Sequence, residues 1–281
     1  MALIGKVKAA EGIPFIRTKG IIVSSTGSDG SVTLSIDTPG TGRVTRTWSS
    51  RVPPEDASDW DDEFDDLSFN TNLWEAYDPH KILSINEDAY GLKLELADDC
   101  YSNDSIAGIF QESPGADEFE FVSSVSLTSL GNCSSGLFIS GDVKKSPVTS
   151  GFFTVSLSQR NKEHFVEISN YSNNRMIIDT LVKLPARSLK MFFCVQYSKK
   201  TSEALVWCSD DGINWSPLLD FPIPLISVPE PKYFGIYGNP WGNKPMILRS
   251  EFFRFTRAED SGIIGTIPEP VGAVVSVYKY W

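Results

Sequence analysis

The chain has 281 residues and carries 25 Lys and Arg against 36 Asp and Glu, for a formal net charge of −11. That length can bury one large all-β core with extensions, or two small ones. The acidic balance excludes nucleic acid and anionic membrane as main partners, since either demands a basic stripe that neutralises phosphates, and no apolar run is long enough to span a bilayer.

The first fifty residues are rich in Gly, Ser and Thr and carry basic residues but few acids. Short strands are predicted at 21–25 and 32–36, separated by Gly27-Ser28-Asp29-Gly30 and followed by Pro39-Gly40-Thr41-Gly42. This part, 1–54, reads as a strand-rich N-terminal arm or mini-domain for docking. No basic start followed by an apolar run and a small-residue cleavage site opens the sequence, so no signal peptide is expected. Val52-Pro53-Pro54-Glu55-Asp56-Ala57-Ser58 forms an extended connection, because two prolines remove backbone donors.

From 55 to 260 the strand signals dominate. Strands are expected at 91–96, 107–111, 118–127, 135–140, 151–158, 164–170, 177–181, 188–197, 202–209, 233–237 and 247–257, with turn residues every 8 to 12 positions. Phe119, Phe121, Val125 and Leu127 keep one parity, as do Phe153, Val155 and Leu157, so one face of each strand points inward. Helical periodicity is almost absent. The expected fold is all-β, an antiparallel β-sandwich. Beyond it, Pro268-Glu269-Pro270 isolates an apolar, aromatic segment within a C-terminal tail, 261–281, whose Tyr278, Tyr280 and Trp281 are the candidate assembly residues.

An ordered series of motifs resembles the concanavalin A-like lectin/glucanase superfamily, particularly its laminin-G-like branch and the sandwiches appended to glycosidases. Asp62-Glu63-Phe64 followed by Leu73-Trp74 resembles its opening; Gly91-Leu92-Lys93-Leu94 and Ser135-Gly136-Leu137-Phe138-Ile139 resemble its next and central strands. Ser209-Asp210-Asp211-Gly212-Ile213-Asn214-Trp215 resembles a hairpin in which Asp-Gly makes the turn and the tryptophan folds back. Tyr233-Phe234-Gly235-Ile236-Tyr237 and Glu251-Phe252-Phe253-Arg254-Phe255 resemble the closing pair. The resemblance covers about two thirds of the chain and implies a jelly-roll sandwich, a fold shared by lectins, glycosidases, adhesion modules and structural domains.

Within that frame, chemistry has few candidates. The acidic run Asp59, Asp61, Asp62, Glu63, Asp65 and Asp66 offers oxygens of the kind calcium takes, with Asp61, Asp62 and Asp65 as candidate ligands. It lacks the regular spacing of a calcium loop, and a solvated acidic edge is the plainer reading. No other cofactor is implied. Hydrolysis of the superfamily's kind would need paired carboxylates on a Glu-x-Asp-x-x-Glu strand; Glu118 and Glu120 match only its first half and read as the wet face of an amphipathic strand. His80 and His164 lie in no triad pattern, and no Gly-x-Ser-x-Gly elbow or phosphate loop occurs. Cys100, Cys133, Cys194 and Cys208 form no C-x-x-C pair and read as reduced core residues, with a Cys194 to Cys208 bridge as the alternative. Trp74, Trp207 and Trp215 read as packing residues. Trp241, in a polar glycine-rich loop with Asn239 and Asn243, is the candidate sugar platform, an indole to stack on a ring beside amides that bond its hydroxyls.

Two functions follow. The first is a non-catalytic assembly protein, expected to be a homo-oligomeric bacteriophage virion component (tail fibre, baseplate or capsid-decorating protein) whose termini dock on other virion proteins. The second is a carbohydrate-binding module that takes glycans at Trp241, and a glycosidase is the weaker third.

Overall fold

Alternating and doubly apolar runs give strands, and among the described residues no helix forms. The structure, a computed structural model, describes residues 15–18, 22–26, 32–36, 46–47, 58–97, 106–115, 117–143, 151–172, 175–183, 189–212, 214–219, 222–225, 228, 230–241, 244–257 and 275–278. The chain divides into two units: Met1–Thr45 with Ile264–Trp281, and Arg46–Ile263.

The first unit holds β1 (Phe15–Thr18), β2 (Ile22–Thr26), β3 (Val32–Ile36) and β21 (Val275–Tyr278). β2 and β3 pair as a hairpin, Ile22 opposite Ile36. β1 pairs antiparallel with β21, Phe15 opposite Tyr278 and Thr18 opposite Val275. Tyr278 is thus a strand residue of this unit, whereas Tyr280 and Trp281 lie outside the described residues.

The second unit is a sandwich. Its chain order runs β4 (Arg46–Thr47), β5 (Glu75–Tyr77), β6 (Leu83–Asp88), β7 (Gly91–Leu96), β8 (Ala107–Glu112), β9 (Glu118–Ser129) and β10 (Cys133–Ser140). It continues through β11 (Phe152–Arg160), β12 (Glu163–Ser172), β13 (Arg175–Lys183), β14 (Lys190–Ser198), β15 (Glu203–Ser209) and β16 (Asn214–Pro217). β17 (Ile223–Pro224), β18 (Tyr233–Asn239), β19 (Met246–Ser250) and β20 (Phe253–Arg257) complete it. One sheet has the order β13-β12-β11-β10-β18-β8-β5; the other runs β4-β16-β15-β14-β9-β19-β7-β6, with β17 added on β15 and β20 on β9.

The inner faces meet in one aromatic core. Phe119, Phe121, Phe234, Phe253 and Phe255 stack with centroids 5.0–6.1 Å apart, each at most 1% exposed. The opening and closing motifs lock together beside it. Asp62 bridges to Phe253 through two backbone hydrogen bonds, and its carboxylate accepts from Phe64 N (2.9 Å) and Trp74 Nε1 (2.8 Å). The Trp74 ring meets Phe64 at 5.8 Å and Phe253 edge-on at 5.1 Å. The Ser209 hairpin closes as its residues require: Ser209 Oγ accepts from Gly212 N, Gly212 adopts φ 74°, and Trp215 Nε1 donates back to Gly212 O at 3.1 Å.

Several strands exceed the sequence expectation. The run 247–257 is two strands, parted at Glu251-Phe252, where the Ser123 and Ser250 hydroxyls both bond Phe252 O. β1, β4, β5, β6, β16, β17 and β21 were not among the strands expected from sequence, although β6 alternates Leu83 and Ile85 with Ser84 and Asn86. β10 is buried along its whole length, and β8, β9, β11 and β18 nearly so, where a single inward face was expected.

Candidate functional site

The site grows out of the second face of the seven-stranded sheet. Strand register places Glu167, Ser156, Gly136 and Tyr237 in one row across β12, β11, β10 and β18, continuing to Gly108 and Tyr77. The next row holds Phe165, Ser158, Ser134 and Asn239; on the other side lie Ser169, Thr154, Phe138, Gly235 and Phe110. The face is therefore divided. Ile106, Phe110, Phe138, Val143, Phe152 and Tyr237 form an apolar cluster at one end. Hydroxyls, an amide and an ion pair occupy the other.

Gly136 narrows the middle of the row. A Cβ there would lie 1.9 Å from Val155 O and 2.5 Å from Ser156 Cα. Burial pushes the Tyr237 phenol up to about 12, and the neighbouring hydroxyls of Ser156, Thr154 and Ser134 offset part of that rise.

At the polar end Arg160, the last residue of β11, turns back along its strand to Glu167, Nη2 to Oε2 at 2.7 Å, and Ser169 Oγ donates to Glu167 Oε1 at 3.1 Å. The Glu167 side chain is 6% exposed and that of Arg160 is 31% exposed. Half-buried Trp241 lies against the guanidinium, 5.4 Å from Cζ to ring centroid. Asn239, two residues before it, is 8% exposed. Two atoms of this group are buried without a hydrogen-bond partner, Asn239 Oδ1 and Arg160 Nε. Each unmet group costs about 1–3 kcal/mol.

Of the residues named from sequence, Trp241 and Asn239 therefore belong to this group, and Asn243 lies outside the described residues. Arg160 and Glu167 were not foreseen. Glu167 alternates with buried Val166 and Ile168, a pattern that by itself reads as a wet face; only the hairpin register brings Arg160 to it.

The acidic run is taken up by the fold. Asp61 accepts from Ser58 N, Ser58 Oγ and Phe255 N; Glu63 holds Arg254 by two bonds of 2.8 and 2.6 Å; Asp65 is exposed. Among the described residues no group of three His, Cys, Asp or Glu is arranged to hold a metal ion. Burial, with the negative charges of Asp62 and Asp66, raises Glu87 to about 7, and it also raises Asp62.

Glu120 differs from expectation. It is 1% exposed and takes a hydrogen bond from Gln196 Nε2, whose Oε1 accepts from Trp207 Nε1 at 2.9 Å. The outward face of β9 is wet only in part, because Val122, Cys194, Leu205, Trp207, Trp215 and Phe252 form a second apolar cluster there. Glu118, half-buried, accepts from Ser198 Oγ. Cys194 pairs with Trp207 in register, so Cys208, the next residue on β15, points to the opposite face and the two do not face each other. Cys133 is free, and Cys100 lies outside the described residues. His164 Nε2 lies 3.3 Å from Gln159 Oε1, and His80 is an exposed turn residue.

No protein-family model and no curated protein matches the sequence. Solved structures do. The Bacteroides ovatus xyloglucan PUL GH43B superposes with TM-score 0.51 at 14% identity, over 83% of this chain and 46% of its own. A GH43 glycoside hydrolase engineered to display both endo-xylanase and exo-arabinofuranosidase activity gives 0.52 at 10%, over 85% and 48%. A Bacillus licheniformis β-glucanase gives 0.48 at 13%, over 70% and 97%. The chain spans about half the length of the first two, and at these identities the likeness is one of fold. The fold is an antiparallel β-sandwich.

Proposed function

We propose that the sandwich is a non-catalytic carbohydrate-binding module whose ligand lies on the second face of the seven-stranded sheet. The observation that carries this is half-buried Trp241, whose ring lies against the Arg160 guanidinium at the polar end of that face. What favours binding over hydrolysis is that, of Glu75, Glu112, Glu163 and Glu167 among the described side chains of this face, the buried one, Glu167, is already engaged by Arg160. That two GH43 proteins share the fold is consistent with a carbohydrate-related role and goes no further. The test is a glycan array with the full chain: Trp241→Ala is expected to weaken any hit at least about tenfold while leaving the thermal midpoint in place. An unchanged glycan profile in that variant would remove Trp241 from the site.

A second reading, assembly, rests on the first unit. Among its described residues there are only two-stranded sheets, β1 with β21 and β2 with β3, and an isolated two-stranded pair is marginal in water without further strands or packing. Strands from other copies would supply them, which suits a homo-oligomeric virion component. Light scattering on the full chain tests this directly, and a monomeric mass at micromolar concentration sinks it.

A further inference from the structure

We infer that the groove on the outward face of the ten-stranded sheet is a second ligand site, one that takes a neutral sugar unit against Tyr90 and shares no residue with the Trp241 face. The β6–β7 turn builds its rim. Asp88 and Gly91 are register partners, so Ala89 and Tyr90 are the two loop residues, where a hairpin prefers glycine and small polar residues. Tyr90 is instead 76% exposed. It is also held in place. The Asp88 carboxylate accepts from Tyr90 N at 2.9 Å and from both terminal nitrogens of Arg249 at 2.7 Å, and that guanidinium lies over the Tyr90 ring, 5.8 Å from Cζ to centroid.

Strand register makes the floor. Ser126 of β9 stands between Arg249 of β19 and Lys190 of β14, and a serine flanked by two long side chains leaves a trough. The groove holds 290 Å³, close to the lower bound of about 300 Å³ for small-molecule pockets, so it suits a sugar unit and not a folded partner. Its other wall is in reach of a ligand: Lys190 and Glu251 pair at 2.5 Å with side chains 38% and 51% exposed, and Ser124 Oγ fixes the acid's backbone by accepting from Glu251 N at 2.9 Å. The charge pattern selects the class. Lys93, Arg249 and Lys190 each have an acid, Glu95, Asp88 and Glu251, so an entering anion meets as many carboxylates as cations, while a neutral ring meets no net field. Lys190 and Glu251 set a donor beside an acceptor, which adjacent sugar hydroxyls use together, and the C–H face of the ring packs on the phenol. An exposed ion pair is weakly held and opens to a hydroxyl at little cost.

The experiment is an array of neutral, carboxylated and sulfated glycans probed with the full chain, its hits then titrated in solution against Tyr90→Ala, Ser126→Leu and Trp241→Ala. The expected result is a neutral glycan that loses at least about tenfold in affinity in Tyr90→Ala, or one binding equivalent where both faces take it. Ser126→Leu fills the trough from below without removing Tyr90 or either ion pair, and it is expected to remove the same binding, so the inference does not hang on one variant. Affinity and stoichiometry unchanged in both variants overturn it, and leave the Trp241 face to its own test. Binding at Tyr90 that is confined to carboxylated or sulfated glycans overturns the neutral class. Absence of hits of any kind overturns this site and the Trp241 site together.

Discussion

The two outward faces of the sandwich carry the same chemistry in different surroundings. On the ten-stranded sheet, Lys93, Arg249, Ser126 and Lys190 share one row, and each cation has its acid: Lys93 with Glu95 at 2.6 Å, Arg249 with Asp88 at 2.7 Å, Lys190 with Glu251 at 2.5 Å. These side chains are a quarter to a half exposed, and Lys190, Arg249 and Glu251 line an open groove of 290 Å³ with Tyr90, Ser124 and Ser126. The Arg249 guanidinium holds the Asp88 carboxyl down to about 2. On the seven-stranded sheet the pair Arg160 with Glu167 sits among buried hydroxyls, an amide and an indole. Where water competes for every charge, ion pairs decorate a surface; where it does not, one pair organises everything around it.

The sharpest way to break this contrast is to fill the centre of the buried face. Gly136→Val would drive side-chain atoms into the β11 backbone and is expected to cost at least about 3 kcal/mol, read as a fall in urea midpoint. Next come the two arginines taken together. Arg160→Ala strands Glu167 and should cost about 2–4 kcal/mol, whereas Arg249→Ala should leave the urea midpoint unmoved at physiological salt; equal effects would erase the distinction. Smaller still is a pH effect at a third place. Glu87, held near 7 by burial and by Asp62 and Asp66 against an ordinary 4.5, keeps its proton in the folded state over a range in which the unfolded chain releases it. Stability is therefore expected to fall as pH rises from 4.5 through about 7, by about 2–3 kcal/mol in all. Glu87→Gln should flatten that slope in urea titrations across pH, and an unchanged slope would show that Glu87 is not its source.

Much of the fold was legible because the aromatic strands state their own orientation. Phe119, Phe121, Val125 and Leu127 all point into the core, as their shared parity requires. Strands β5, β16 and β17 escaped because short peripheral strands need little alternation. The outward face of Glu120 was misjudged for a different reason: parity tells which residues share a face, and not whether that face is covered. The site was half legible. Trp241 and Asn239 stand out as an aromatic and an amide in a glycine-rich loop, while Arg160 and Glu167 look like ordinary strand polar residues until β11 and β12 are paired.

The pairing of β1 with β21 has a consequence for the order of events at the ribosome. The sandwich is nested in sequence between two halves of the other unit, so β1 is made before it and its partner β21 after it. At synthesis rates of about 5–20 residues per second, β1 waits on the order of tens of seconds for β21, long enough for the intervening sandwich to fold first. β1 spends that interval without its partner strand.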